Sequence, residues 1–293
     1  MVSAGNLKYS EDRVMADPKL SLSERSSFVI RPNAKNRTKW SGKVYLWDDE
    51  GLFVGRPGDT DFHESPAIKI CVSLYGEFLV IDEGANERNV ISAVIPAGAF
   101  HSIRGNGSEM AMILLAPEGR LGQKFGGLRD INGFPVLDGL EDEIREVVSA
   151  RDEFEDNSAI ERVVKITSAH ISERFGIRNA AEMDPRIAQS IEWIRRSREN
   201  GISIRDLAAE FRLSESRFSH LFSENLRVPV KRYLSWLRLR DAIHLISSLP
   251  NLTEAAHSAG FADSSHLTRT FRSALGIAPS DLVRHSDVIS FIR

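Results

Sequence analysis

Hydrophobic and polar positions divide this chain of 293 residues into three regimes. From Lys43 to about Leu115 the apolar residues come in short runs: KVYLW, GLFVG, AIKICVSL, EFLVID, NVISAVIP and MAMILL. Val, Ile, Leu and aromatics dominate these runs, and turn-forming stretches such as DDEG, RPGD, DEGAN and RGNG separate them. That length and punctuation predict short β-strands, and about six of them predict a sandwich or small barrel. Residues 116–137 are glycine-rich and read as loop. Gly119, Gly122, Gly126 and Gly127 do not sit between a strand and a helix in a GxGxxG arrangement, which argues against a phosphate loop. The period then changes to 3.6. One helix is predicted over about 138–150, with Leu140, Ile144, Val147 and Val148 on one face. A second is predicted over about 157–175, with Ile160, Val163, Val164, Thr167, Ile171 and Phe175 on one face. Such an amphipathic pair either packs on the strand region or forms a dimer seam.

The third regime begins at Asp184-Pro185, an N-cap acceptor followed by proline at the first helical position. The helix it opens carries Ile187, Ile191 and Ile194 on one stripe and Arg195, Arg196 and Arg198 near its end. One pattern then occurs twice, about fifty positions apart. The first copy, ISIRDLAAEFRLSESRFSHLF, runs from Ile202 to Phe222, and the second, NLTEAAHSAGFADSSHLTRTF, from Asn251 to Phe271. Each reads as a short helix opened by a hydroxyl residue (Ser203, Thr253) with a small residue at the contact (Ala208, Ala256). A tight turn follows, then a second helix rich in short polar side chains, starting at Ser214 or near Asp263. Between the copies, the helix from about Pro229 to Ser247 has only a narrow polar stripe of Lys231, Ser235, Arg238, Asp241 and His244. It should therefore be buried on several sides. At ~1.5 Å per residue it spans about 28 Å, close to the roughly 34 Å between major-groove faces one DNA turn apart.

Composition narrows the class. An apolar fraction of 42% and a charged fraction of 27% describe an ordinary globular chain, long enough for two cores. The single cysteine, Cys71, excludes an internal disulfide framework and a Cys-rich zinc site, and its apolar surroundings read as core. No apolar run approaches the ~20 residues of a membrane span. The start, MVSAGNLKYSEDR, lacks the apolar core of a signal peptide, so a cytoplasmic location is expected. Residues 1–38 are polar and read as a loosely ordered arm, with a short strand at Ser27–Arg31. Net charge is −3, but it divides unequally. From Ala181 onward 16 Lys and Arg face 13 Asp and Glu (+3), which leaves 22 against 28 (−6) in the first 180 residues. The excess is too small to act as a polycation. Phosphate contacts would need the arginines on one face.

Two resemblances extend this reading. LYGEFLVID and VIPAGAFHSI resemble the sensory cupin-like barrel of AraC-type regulators, with Pro96, Gly98 and His101 matching its Pro-x-Gly-x-x-His motif. Gly98 suits the sharp turn, because glycine takes positive φ freely. Metal-binding cupins add a His-x-His pair and a Glu. Here His63 has no partner two residues away and Lys69 stands near the position of the Glu. Since even catalytic zinc takes three protein ligands, no metal site or cofactor is expected. The barrel mouth could still admit an organic effector. Trp40, Tyr45, Trp47, Phe78, His101 and Arg104 are possible lining, and each reads equally well as core.

The C-terminal patterns SxxxLAxxFxLSxxxFSxLF, RYLSWLRLRDAIHLI and AGFADSSHLTRTFRSALGIAPSDLVR resemble the AraC/XylS family, with Gly260-Phe261, Phe271-Arg272 and Gly276–Ser280 as its signature. Arg212 departs from it, standing where the family often has glycine. The resemblance implies an α+β protein: an arm over 1–38, a cupin-like β-barrel over 39–137, a helical coupling or dimerising segment over 138–180, and an all-α DNA-binding domain over 181–293. The helix-turn-helix motifs would occupy 203–224 and 252–275, joined by the long helix. Ser214, Ser216, Arg217, Ser219 and His220 in the first unit would face DNA, as would Ser264, Ser265, Thr268 and Arg269 in the second. Arg269 is the best candidate for a bidentate guanine contact. Arg217, Arg232 and Arg238 would meet phosphates. Implied partners are double-stranded DNA, a small-molecule effector, a second copy of the chain and, for an activator, RNA polymerase. No Ser/His/Asp or Cys/His grouping has the context of a nucleophilic site, so no catalytic residue is assigned. The alternative is a small-molecule-binding or metal-dependent cupin enzyme with an ancillary helical domain.

Overall fold

The computed structural model describes residues 40–130, 133–137, 139–149, 156–176, 183–197, 202–246, 249, 251–283 and 288–289. The arm expected over 1–38, its strand at Ser27–Arg31 and Arg198 lie outside these residues.

The described residues hold ten strands: the short apolar runs form seven of them, two (β3 and β8) fall between the runs, and one comes from near the C-terminus. They are β1 (Ser41–Leu46), β2 (Glu50–Arg56), β3 (His63–Glu64), β4 (Ile68–Tyr75), β5 (Phe78–Asp82), β6 (Glu87–Val90), β7 (Ser92–Ile95), β8 (Phe100–Arg104), β9 (Glu109–Leu115) and β10 (Val288–Ile289). Two sheets result, a six-stranded one in the order β10-β1-β2-β9-β4-β7 and a four-stranded one in the order β3-β8-β5-β6. The run NVISAVIP is therefore two strands rather than one. It breaks at Ile91, and its halves join different sheets.

The larger sheet is buried on both faces, which explains why its strands read as nearly continuous apolar runs instead of alternating ones. Val44, Phe53, Cys71 and Met112 point into the space between the sheets. Their neighbours Tyr45, Leu52, Ile70, Val72 and Ile113 point outward, against a helical layer. That layer consists of the 3₁₀ segment Gly122–Asp130, α1 (Glu141–Ser149) and α2 (Ser158–Phe175). Part of the stretch expected to be loop is thus helical, because Leu121, Phe125 and Leu128 repeat at helical spacing and bury on the sheet. The predicted helices at 138–150 and 157–175 match α1 and α2, and both pack on the strand domain.

The third regime gives α3 (Pro185–Arg196), α4 (Ile204–Glu210), α5 (Glu215–Leu226), α6 (Val230–Ile246), α7 (Leu252–Ser258), α8 (Ser264–Leu275) and α9 (Pro279–Val283). Asp184, Ser203, Ser214 and Asp263 cap their helices as expected, each accepting a backbone N–H. The cap of α7 is Asn251, not Thr253: its side chain accepts from the Glu254 N–H at 2.9 Å, so the helix starts one residue before Thr253. The two turns are alike. Arg212 and Gly260 both have positive φ, 54° and 76°. The next residue donates back across the turn in each, Leu213 to Ala208 at 2.8 Å and Phe261 to Ala256 at 2.9 Å. Arg212 therefore adopts the left-handed conformation that glycine takes in the second copy, at a cost of about 1–2 kcal/mol.

The joining helix α6 buries opposite faces in different cores. Val230, Tyr233 and Leu237 pack with α3, α4 and α5, and the outer Ile187, Phe218 and Phe222 complete that core. Trp236, Leu239, Ala242 and Ile243 share one cluster with Phe261, Leu267 and Phe271 of the second unit and with Trp40, Phe53 and Phe78 of the strand domain. The second unit is thus continuous with the interior of the strand domain.

Each unit also docks the C-terminal end of its last helix on that domain. A Cβ on Gly98 would lie 2.4 Å from the carbonyl oxygen of Arg227, the left-handed cap of α5. A Cβ on Gly276, the left-handed cap of α8, would lie 2.5 Å from His63 Nδ1 and 2.6 Å from the Asp61 carbonyl oxygen. The Asp61 N–H donates to the Gly276 carbonyl at 2.7 Å. Gly260, by contrast, has positive φ with nothing nearer than 4.0 Å. Thermal unfolding should separate these causes. Gly260→Ala is expected to cost about 1–2 kcal/mol of backbone strain, and Gly276→Ala clearly more, because docking is lost as well. Equal shifts in Tm would contradict the docking.

Candidate nucleic-acid interface

Capping orients the second helix of each unit. Ser214 accepts from the Arg217 N–H at 3.2 Å, and Asp263 from the His266 N–H at 2.6 Å. The latter bond holds the Asp263 carboxyl below its usual range. With Phe218, Leu221 and Phe222 turned inward on α5, the residues Ser214, Ser216, Arg217 and His220 are exposed and Ser219 is half-buried. His220 lies 3.1 Å from Glu224 one turn on. On α8, Leu267 and Phe271 face the core, Ser265 and Arg269 are exposed, and Ser264 and Thr268 are half-buried. The Thr268 hydroxyl donates to the Ser264 carbonyl at 2.7 Å, so its proton is committed to its own helix. Arg269 borders a groove of about 360 Å³ with Lys231, Arg232, Ser235 and Ser273.

Two arginines join the helices to the strand domain, and one of them, Arg232, was expected on a phosphate. Arg232 forms an ion pair with Glu64 of β3, and Arg195 at the end of α3 pairs with Asp49 at 2.5 Å and Glu118 at 3.4 Å. The buried Glu118 also accepts from the Tyr233 hydroxyl at 2.7 Å, and burial pushes that phenol upward. These bonds hold α3 and α6 against the strand domain. Arg238 is half-buried on α6.

Within the strand domain, pairing of β3 with β8 sets His63 opposite His101. Each imidazole Nδ1 bonds a backbone carbonyl, of Asp61 at 2.9 Å and of Ala99 at 2.8 Å. Those carbonyls accept, so both Nδ1 atoms carry the proton and both Nε2 atoms offer a lone pair. Lys69 reaches across from the other sheet, its Nζ 2.6 Å from His63 Nε2 and 3.0 Å from His101 Nε2. Spacing alone does not bring these residues together, because they lie on three strands; the cupin resemblance sets all three at neighbouring ligand positions, and the structure adds that Lys69 bonds both imidazoles. Burial and the Lys69 charge keep both imidazoles well below their usual pKa. Burial likewise brings the lysine down to about 8.

Beside this cluster is a cavity of about 110 Å³ between the strand domain, α6 and the end of α8. Of the expected lining residues, Trp40 and Trp47 border it; Tyr45, Phe78, His101 and Arg104 do not. Tyr45 faces the helical layer, Phe78 lies in the core between the sheets, His101 is held by Lys69, and Arg104 donates to the Thr60 carbonyl at 2.5 Å. Trp236 and Arg240 of α6 border the cavity unforeseen.

Two second helices presented from rigid caps define a double helix-turn-helix protein. Residues 207–285 match the model of a helix-turn-helix domain family. The C-terminal part is 30% identical over 111 residues to the HTH-type transcriptional activator RhaS of Klebsiella pneumoniae, and 31% over 105 residues to that of Escherichia fergusonii. These matches cover 38% and 36% of this chain, and the chain spans only 40% and 38% of those relatives. Apo and unsaturated-fatty-acid-bound structures of ToxT from Vibrio cholerae align over 82% and 84% of this chain and 99% and 100% of their own, with TM-scores of 0.59 and 0.57 at 12% identity. The C-terminal part is thus similar to the helix-turn-helix domain of these regulators, and the described strand and helical domains share the fold of ToxT, a β domain plus a helical domain. Among the described residues no helix is long and apolar enough to cross a membrane.

The buried charges set a pH dependence. Lys69 holds its proton less tightly folded (about 8) than unfolded (10.5). Stability should therefore rise with pH from about 8, by up to about 1.4 kcal/mol per unit. Cys71, raised from 9.0 to about 12, acts oppositely: above 9 the unfolded thiol loses its proton first, which lowers stability. The net rise should slow from about pH 9, end before about pH 10, and be absent in Lys69→Met. Urea titrations at pH 8.0, 8.5 and 9.0 check this, and an unchanged slope in the variant would contradict it.

Proposed function

We propose that this protein is a sequence-specific, DNA-binding transcriptional regulator whose strand domain senses an effector or dimerises. The carrying observation is the pair of capped helices with outward Ser216, Arg217 and His220 on α5, and Ser265 and Arg269 on α8. The 17 residues of α6 span about 26 Å, which suits helices entering successive major grooves on one side of a duplex. In this reading Arg269 contacts guanine, the hydroxyls of Ser264, Ser265 and Ser216 meet bases or phosphates, and Arg217 meets a phosphate. The names of the matched relatives favour an activator, which would act in the cytoplasm, as a homodimer and with RNA polymerase. We read the strand domain as a sensor and not an enzyme, since the space between its two histidines is taken by the Lys69 ammonium. A small-molecule effector is also favoured by the fatty acid bound to ToxT in a solved structure.

Selection of binding sites from random duplexes tests the reading. The full chain is required, because the second unit shares its core with the strand domain. No enriched motif at moderate salt would sink the proposal. Arg269→Ala should cost about 1–3 kcal/mol and relax specificity at one base pair. Equal losses on all sequences would rule out base reading there. Arg217→Ala should weaken binding uniformly and flatten the slope of log K against log salt by about 0.9.

A further inference from the structure

We propose that the groove between the start of α6 and the flank of α8 seats a phosphate of the DNA backbone, and that Glu64 of β3 competes with that phosphate for Arg232. The inference rests on reading the helical domain as a DNA reader. It adds a backbone contact and a control over that contact by the strand domain.

The first support is the groove itself, a space of about 360 Å³. Lys231, Arg232 and Ser235 of α6 line one side, and Arg269, Thr270 and Ser273 of α8 line the other. Arg269 belongs both to the groove and to the outward face of α8, so the backbone beside the base it reads would lie at the groove. Ser235 commits its proton to the Lys231 carbonyl at 3.0 Å. That leaves the Thr270 and Ser273 hydroxyls and the three cations as donors. Two carboxylates oppose those cations: Glu64 is paired with Arg232, and Asp263 acts on Arg269 from the cap of the same helix. Asp263 is itself committed to the His266 N–H at 2.6 Å. Lys231 is exposed and has no carboxylate partner among the described residues. The groove thus keeps a net positive charge, as a phosphate seat requires.

The second support is the way Glu64 reaches the groove. Pro66 of the strand domain borders it, and Glu64, two residues earlier, forms the ion pair with Arg232. Backbone contacts place this carboxylate. Glu64 is in register with Phe100 of β8, and the Asp61 N–H donates to the Gly276 carbonyl at the cap of α8 at 2.7 Å. The Glu64 side chain is 12% exposed and that of Arg232 27%. The arginine therefore stays open to the groove while the carboxylate is largely screened from water. An arginine fork fits phosphate as it fits carboxylate, so Arg232 is the partner that both can reach.

Charge counting makes the competition measurable. A cation already neutralised by a carboxylate releases no counter-ion from DNA, whereas an unpaired one does. In the docked arrangement Lys231 makes the groove's phosphate contact and Arg232 does not. Removing the Glu64 charge, or drawing β3 away from α8, turns Arg232 over to the phosphate. Phosphate contacts carry no sequence information, so the effect should be the same on every duplex.

The test is binding of the full chain to its selected site and to a random duplex over a range of salt, with thermal unfolding verifying the fold of each variant. Glu64→Gln should tighten binding to both by about 3- to 10-fold and steepen the slope of log K against log salt by about 0.9, as one added contact predicts. Adding Arg232→Gln to that variant should restore the wild-type slope. Lys231→Gln, at an exposed position, should flatten the slope by about 0.9. Glu87→Gln removes an exposed charge from β6, at the opposite edge of the small sheet from β3, and should change neither quantity. Site selection that enriches nothing removes the regulator reading, and this proposal with it. With a selected site in hand, four results would each overturn the proposal alone. They are an unchanged slope in folded Glu64→Gln, a gain that survives Arg232→Gln, a gain confined to one sequence, and an unchanged slope in Lys231→Gln.

Discussion

Everything C-terminal to the sheets hangs on one helix that is free only along a narrow polar stripe, where Lys231 and His244 are exposed. Helix α6 gives Tyr233 and Leu237 to the core of the first helix-turn-helix unit, and Trp236, Leu239 and Ile243 to a core shared by the second unit and the strand domain. A helix apolar on most of its surface must be covered on most of its surface. Here the cover comes from both units and from the sheets. The spacing of the units is thereby tied to the strand domain through close-packed side chains, which transmit small displacements instead of absorbing them. The ion pairs around it, Arg195 with Asp49 and Arg232 with Glu64, add orientation more than stability, since such pairs contribute little when partly solvated.

The docking of the helix ends gives that coupling its route. Gly98, from the motif that also carries His101, lies against the cap of α5. His63 and Asp61 lie against Gly276 at the cap of α8. The two strands that hold the imidazoles are therefore also the strands on which the helix-turn-helix units rest. A change in what Lys69 bonds would be felt one residue away from a helix cap. A ligand shifts such an arrangement only by its difference in affinity between the docked and undocked forms.

How much of this could be read along the chain differs from element to element. Strands β1, β2, β4, β7 and β9 of the larger sheet lie almost wholly within the apolar runs, because a doubly buried strand must be apolar along its whole length, whereas β3 and β8 of the smaller sheet fall outside them. The caps at Asp184, Ser203, Ser214 and Asp263 were legible because capping is a contact within four residues. Thr253 was misleading for a local reason: Asn251, two residues earlier, is the stronger cap and takes the Glu254 N–H. The strand β10 carried no usable signal. Two residues suffice to add to an existing edge, and what selects them is the exposed ladder of β1.

The sequence by itself determined most of the helices and the strands within the apolar runs, and which side chains of α5 and α8 are left facing out, since these follow from periods of 2 and 3.6 and from local hydrogen bonds; the 3₁₀ segment Gly122–Asp130 and β10 were not among them. It also established the family resemblance of the C-terminal domain, because that rests on residues close together along the chain. Only the tertiary structure decided that Lys69, His63 and His101 meet, that Arg232 and Arg195 serve the join between domains, and that Tyr45 faces helices while Trp236 faces a cavity. Each of these depends on strand order and on which face of a doubly buried sheet a residue takes. Neither is set by composition or spacing, because both faces of that sheet are apolar and the partners lie from six positions apart (His63 and Lys69) to 168 (Glu64 and Arg232; 232 − 64).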